Sequence, residues 1–178
     1  MHGVEVEFRR RADDGSVAEI ARADGVRLRM RSYDVTNEVP HDAVHLIGER
    51  ALGITDGLWG SIAAGAVFAS VEVVGGRQRH DRHRRSAEVR RRNEAWLRQA
   101  EVVVGTLQHC LDRDGAATHR ELDRAWAVTH TGRSPFTVEQ AERAVRELRR
   151  LRADWSALAV DGPGLRFTWP VPRGRRRP

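Results

Sequence analysis

Twice in the first 31 residues, apolar side chains alternate one for one with charged ones. Val4, Val6 and Phe8 stand between Glu5, Glu7 and Arg9; Val26, Leu28 and Met30 stand between Arg27, Arg29 and Arg31. A period of two fits a strand with one buried and one wet face. Between these runs, Asp13-Asp14-Gly15 predicts a turn and Val17 to Ala23 a weaker strand. Asp24-Gly25 is a two-residue hairpin signal. The chain therefore opens as a three-stranded antiparallel meander. Acids on the first strand and arginines on the third predict cross-strand attraction on the wet face, roughly 0.2–1 kcal/mol per pair.

From residue 39 the period becomes helical. A helix is expected over Val39 to Leu52, with Pro40 in its first turn and Gly53 as its left-handed stop. A second, from Gly57 to about Ser70 with Thr55 or Asp56 as cap, is apolar almost all round and so expected to be buried. Its Gly60, Ala64 and Gly65 would admit a close neighbour. Val71, Val73 and Val74 either extend it or form a short strand. Beyond Gly75-Gly76 and a basic stretch, Ser86 is expected to cap a long helix from Ala87 to about Arg113. Along it Val89, Asn93, Trp96, Ala100, Val103, Leu107 and Cys110 recur by fours and threes. That seam must be covered by the rest of the chain or by a second copy, so a homodimer through residues 89–110 is an expected arrangement.

Thr118 with Glu121, and Thr137 with Gln140, are capping-box pairs that predict helices to about His130 and Arg152. Trp155 to Val160 and Leu165 to Trp169 flank Asp161-Gly162-Pro163-Gly164 and predict a closing hairpin. The expected fold is α+β: an N-terminal three-stranded antiparallel meander, a mostly helical body and a C-terminal β-hairpin. One compact domain over 1–170 is expected, followed by a basic disordered tail over 171–178.

The 178 residues suffice for a core without disulfides, and the single Cys110 excludes an internal disulfide or a multi-cysteine metal site. Cys110 sits in the apolar seam and is expected to be a buried structural thiol. The longest uncharged run, Gly57 to Val71, is too short to span a membrane. No basic-then-apolar leader opens the chain, so a soluble cytoplasmic protein without membrane partners is expected.

Charge is more informative by place than by total. All 31 basic residues are arginine; a GC-rich genome is the plainer explanation of that bias. Residues 1–76 carry eight arginines against twelve acids, whereas residues 77–98 carry nine against three. Arg77, Arg79, Arg82, Arg84, Arg85, Arg91 and Arg92 are therefore candidates for holding nucleic-acid phosphates, which clustered arginines do without reading sequence. A solvated basic helix is the plainer reading of the same residues. Stacking aromatics are absent there apart from Trp96, which lies on the seam.

From Thr118 the expected order is helix, glycine turn, helix, hairpin, the order of a winged helix. Thr118-His119-Arg120-Glu121-Leu122 and Ser134-Pro135-Phe136-Thr137-Val138 resemble the two helix starts of such domains. Glu139 and Glu142, however, open the would-be recognition helix. Its Arg143, Arg146, Arg149 and Arg150 interleave with acids as on a salt-bridged wet face.

The helix beginning at Val39 carries a second constellation. At about 100° per residue, Val39, Ala43, Leu46 and Ile47 fall on one side and His41, Asp42, His45 and Glu49 on the other. Imidazoles one turn apart can share a divalent metal. His41 and Glu49 are about 12 Å apart along the axis, too far to join one ion easily. The pair is thus His41 with His45, completed by Asp42 or by a ligand from elsewhere, such as His80, His83, His109, His119 or His130. Glu49 could then serve as a general base. A solvated polar face, with Asp42 favouring the helix N-terminus, is the plainer reading.

Val39-Pro40-His41-Asp42-Ala43-Val44-His45, followed by Ala51-Leu52-Gly53, Gly57-Leu58-Trp59-Gly60 and Ala63-Ala64-Gly65-Ala66, resembles a group of small uncharacterised actinobacterial proteins. These begin with a strand meander and carry a Pro-His-Asp-x-x-His segment; the closing Leu165 to Trp169-Pro170 is similar to theirs as well. The resemblance implies a single compact domain, draws attention to His41, Asp42 and His45, and brings no activity with it. No phosphate loop, dinucleotide fingerprint, nucleophile elbow or kinase signature is present. The leading expectation is a non-enzymatic binding or interaction protein, nucleic-acid-associated through its arginine-rich helix. The alternative is a metal-dependent or histidine-based enzyme centred on His41 and His45.

Overall fold

The computed structural model describes residues 3–13, 15–32 and 38–171. The alternating segments form β1 (Gly3–Arg10), β2 (Ser16–Ala21) and β3 (Arg27–Ser32), an antiparallel meander as expected. Val4, Val6, Phe8, Leu28 and Met30 are all buried, on the face the helices cover. The β2–β3 loop is one residue longer than the Asp-Gly signal suggests: the Arg22 amide donates to the Val26 carbonyl at 3.0 Å, and Gly25 closes the loop at φ 81°. This is a three-residue hairpin loop with glycine at its left-handed position.

The helical body follows as α1 (His41–Leu52) and α2 (Leu58–Ala64), then β4 (Val71–Gly75), α3 (Arg82–Arg92), α4 (Glu94–His109), α5 (Gly115–Ala127) and α6 (Val138–Ser156). The chain returns to the sheet as β5 (Leu165–Pro170). The sheet order is β4-β3-β2-β1-β5, every neighbour antiparallel. The fold class is α+β. No helix among the described residues is long and apolar enough to cross a membrane.

Several boundaries depart from the sequence pattern, each for a local reason. Helix α2 stops at Ala64 rather than Ser70, because Gly65 adopts φ 111° and closes it with two backbone hydrogen bonds. Val71 and Val73 then pair with Met30 and Leu28 as an edge strand. The expected long helix is two, α3 and α4, separated at Asn93, whose buried amide donates to the Ser61 hydroxyl at 3.0 Å. Ser86 is no cap. It lies inside α3, where its hydroxyl bonds both the amide and the carbonyl of Val67. Asp114, not the Thr118–Glu121 pair, caps α5, accepting from the Ala117 amide at 2.7 Å. The Thr137–Gln140 capping box forms in full.

The closing hairpin does not form. Trp155 falls one turn beyond Leu151 on the stripe Ala141, Ala144, Leu148, Leu151, so burial carries α6 on to Ser156. Leu165, Phe167 and Trp169 then pair with Phe8, Val6 and Val4. The winged-helix order is corrected with it: α5 and α6 are followed by one strand that joins the central sheet, not by a wing. Of the β1 acids, Glu7 meets an arginine on β5, with Arg166 at 3.4 Å, and Glu5 accepts from the Thr168 hydroxyl, while Arg29 on β3 pairs with Glu19 on β2 at 2.8 Å.

The seam is covered from within the chain. Val103, Val104 and Leu107 are fully buried in one cluster with α1, α5 and the sheet, and the Cys110 thiol is buried beside them. A twin is therefore not needed to bury it. The expected basic tail, Val171 excepted, lies outside the described residues, as does Asp14 of the first turn.

Candidate metal centre

Helix α1 packs on α4 where Gly48 leaves room. A side-chain carbon at Gly48 would lie 3.1 Å from Leu107 and 3.3 Å from Val104. One turn back along both helices, this close approach brings Glu101 of α4 against His45 of α1. The Glu101 carboxylate Oε2 is 3.4 Å from His45 Nε2 and 3.8 Å from His41 Nε2. The two imidazoles contact edge to face, with centroids 4.6 Å apart. One ligand atom from each of His41, His45 and Glu101 lies within 4.8 Å of the others.

The three residues differ in exposure. His45 is 1% exposed, His41 36% and Glu101 62%, so the cluster has a buried floor and an open face. Below the floor, His45 Nδ1 is 2.9 Å from Glu49 Oε1. Glu49 is wholly buried, and both its oxygens are engaged: Oε1 also accepts from the Leu58 amide at 2.9 Å, and Oε2 from the Trp59 amide at 3.1 Å. Glu49 thus caps α2, the role the sequence assigned to Thr55 or Asp56. Its carboxylate presses on Gly57, where a side-chain carbon would lie 2.5 Å from Cδ. That glycine is required by space, not by torsion, since its φ of −76° suits any residue. Trp59 locks the arrangement further by donating its indole N–H to the Asp42 carbonyl at 2.9 Å.

The second nitrogen of His45 has no such partner. Nε2 is buried, and its 3.4 Å approach to Glu101 is an ion-pair contact without hydrogen-bond geometry. Burial disfavours the imidazolium, but Glu101 and Glu49 on either side outweigh it and raise the His45 pKa to about 9. Glu101 is held below its ordinary range, first by its contact with His45 and then by the charge of His41, against partial burial. Asp42 moves the other way: burial pushes its carboxyl up, more than the two histidines pull it down.

The structure therefore brings His41 and His45 together, as the four-residue spacing predicts. The third member of the cluster, Glu101, is a residue the sequence did not single out. Asp42 stays outside the cluster of ligand atoms, and Glu49 orients His45 from beneath, closed off from solvent and poorly placed to act as a base. Among the described residues, no other histidine joins the cluster. His109 bonds the Gly105 carbonyl, His119 the Phe136 carbonyl, and His130 stacks on Trp126. His80 and His83 stand with the arginines. Glu101 reads in sequence as one exposed acid on an amphipathic helix; only the α1–α4 contact distinguishes it.

The candidate phosphate-binding arginines divide into two sets. Arg77, Arg79, Arg82 and Arg85 line a cleft of about 470 Å³ beside the β2–β3 loop. Arg84 reaches toward Asp81 and Glu88 at 3.8 and 4.0 Å, and the Arg92 guanidinium donates to Asn93. Arg91 is exposed on α3 outside the cleft. On α6 two arginines tie the helix to its neighbours, Arg143 donating to the Ala51 carbonyl and Arg149 to those of Leu111 and Arg113, while Arg146 and Arg150 are exposed and face Glu142 and Asp154 on the same helix. Compared with known proteins, the chain matches no protein-family model, no curated protein and no solved structure.

Proposed function

We propose that this chain binds a divalent transition metal through His41, His45 and Glu101, and that the open face of this centre makes it reactive rather than structural. One observation carries the reading: a buried imidazole whose Nδ1 is fixed by a buried carboxylate and whose Nε2, without a hydrogen-bond partner, faces another imidazole and another carboxylate. Metal-bound histidines characteristically donate their second N–H to a carboxylate, which sets the tautomer and aims the ring. Ligands on a tetrahedral zinc with bonds of 2.0–2.1 Å lie about 3.4 Å apart. The 3.4 Å separation of His45 from Glu101 matches that spacing, and the half-exposed His41, at 3.8 Å, has to move inward by a few tenths of an ångström or more to share the ion.

Two imidazoles with one carboxylate suit zinc or iron(II), and three protein ligands leave at least one position free for water or substrate. Zinc would there lower the pKa of a bound water to about 7. The carboxylates that favour a proton on His45 favour a cation in its place, since both answer the same negative field. The nucleic-acid reading of α5 and α6 has less behind it: among the described residues no wing follows them, and Arg143 and Arg149 are already hydrogen-bonded within the fold.

Calorimetric titration of the tag-free, chelator-treated protein with zinc tests the proposal. It requires one equivalent bound, with affinity falling at least about 100-fold in His45→Ala and Glu101→Gln. Absence of saturable zinc binding, or unaltered affinity in both variants, would refute it.

A further inference from the structure

The cleft beside the β2–β3 loop is independent of the histidine centre. Six arginines line it: Arg22, Arg77, Arg79, Arg82, Arg85 and Arg90. Against them stands a single acid, Asp24. Arg22 is 8% exposed and paired to Asp24, with its Nε 3.0 Å from Oδ1. Burial would raise the Asp24 pKa, but Arg22, the Val26 amide and the charge of Arg85 together hold it below the ordinary range. The one acid is thus already committed. Arg79 is shared with Asp81 at 3.2 Å, and Arg85 donates to the Ala64 carbonyl at 3.3 Å. Arg77, Arg82 and Arg90 have no carboxylate partner among the described residues.

The cleft is built, not a chance spread of long side chains. Gly76, at φ 88°, packs so tightly on Gly25 that a side-chain carbon would lie 2.2 Å from the Gly25 carbonyl oxygen. This contact turns residues 77–81 back across the β2–β3 loop. On the opposite wall, the Ser86 hydroxyl ties α3 to both polar backbone groups of Val67. The floor between them is apolar, made by Val26, Val67 and Val73.

We propose that this cleft binds a small organic polyphosphate, with its phosphoryl groups on the guanidinium groups and its organic body on the valine floor. A guanidinium fork matches phosphate oxygens in pairs and is weakly hydrated, so it tolerates a partly enclosed site. A volume near 470 Å³ suits a nucleotide-sized ligand. A nucleic-acid strand would use the whole basic face of α3 evenly. Here the cleft gathers Arg82, Arg85 and Arg90 and leaves Arg84 and Arg91 outside.

Calorimetry with adenosine triphosphate, inorganic tripolyphosphate and a labelled single-stranded oligonucleotide tests this, at low salt and in chelator so that the metal centre plays no part. Adenosine triphosphate is expected to saturate one site, about tenfold tighter than tripolyphosphate. Arg82→Ala and Arg90→Ala should each weaken it by about tenfold or more, and Arg91→Ala by less than about twofold. These arginines are exposed and lack carboxylate partners, so all three variants should fold; melting curves verify this. Equal losses in Arg82→Ala and Arg91→Ala, with tighter binding of the oligonucleotide, would overturn the proposal in favour of a nucleic-acid face. Tripolyphosphate binding as tightly as adenosine triphosphate would remove the role of the valine floor. No saturable binding of either would overturn the proposal outright.

Discussion

The histidine centre and the arginine cleft are built in opposite ways. At the centre, a buried carboxylate and a buried imidazole hold each other while each also serves another element: Glu49 caps α2, and His45 faces Glu101 on α4. At the cleft, most of the charge comes from one continuous stretch of sequence and stays exposed, and only Arg22 is buried. Disturbing the centre therefore disturbs the fold. Disturbing the cleft should change charge and leave the fold alone. The two regions thus differ in how tightly charge is tied to folding.

The contrast breaks most visibly at Glu49. Replacing it with alanine leaves two α2 amides and a buried imidazole without their acceptor, at a cost of about 3–5 kcal/mol in urea unfolding. Gly57→Ala attacks the same carboxylate from the other side. The new methyl must displace it, and overpacking of this kind costs about 1–3 kcal/mol. A stability unchanged in both variants would mean that the Glu49 network does not organise this region. Gly48→Ala is milder, since contacts of 3.1 and 3.3 Å can relax by a few tenths of an ångström. It should lower the melting temperature slightly but weaken zinc binding measurably, because α4 carries Glu101 away as it moves.

Proton binding separates the two regions as well. In metal-free protein, the His45 pKa of about 9 lies above its ordinary 6.5. The stabilisation is therefore fully present below pH 6.5 and is lost as pH rises through about 9. The melting temperature should fall across that window, and His45→Gln should flatten the dependence. Saturating zinc should flatten it too, by taking the place of the proton. The smallest expected effect belongs to the cleft: Arg82→Ala and Arg90→Ala should change unfolding free energy by no more than about 0.5 kcal/mol. A larger loss in either would show that the cleft, like the centre, holds the fold together.

What was legible in the sequence follows the same division. Alternation placed β1 to β3, because a sheet with one wet face writes its period directly into the chain. The Thr137–Gln140 box placed the start of α6 for a similarly local reason. The end of α6 is not legible in the sequence, because Trp155 fits a strand pattern as well as a helical stripe and only packing decides between them. Asn93, a polar residue on an apolar seam, was the one visible sign of the break between α3 and α4. Its meaning rests on Ser61, a tertiary partner. At the centre, the i, i+4 spacing of His41 and His45 was readable. The tasks of Glu49 and Glu101 were not, since both depend on contacts between elements distant in sequence. Counting charge located the basic segment, but which arginines share a cleft depends on Gly76 turning the chain back over Gly25.

The proposed metal centre requires His41, His45 and Glu101 to act together on one ion. The most direct test is the visible absorption spectrum of the chelator-treated, tag-free protein titrated with cobalt(II), which reports ligand geometry in zinc-type sites. Intense bands of a four-coordinate ion should grow to an end point of one equivalent, vanish when zinc is added, and be absent from His41→Ala, His45→Ala and Glu101→Gln. The weak spectrum of hydrated cobalt at every ratio, or a strong spectrum that survives loss of all three ligands, would contradict the account.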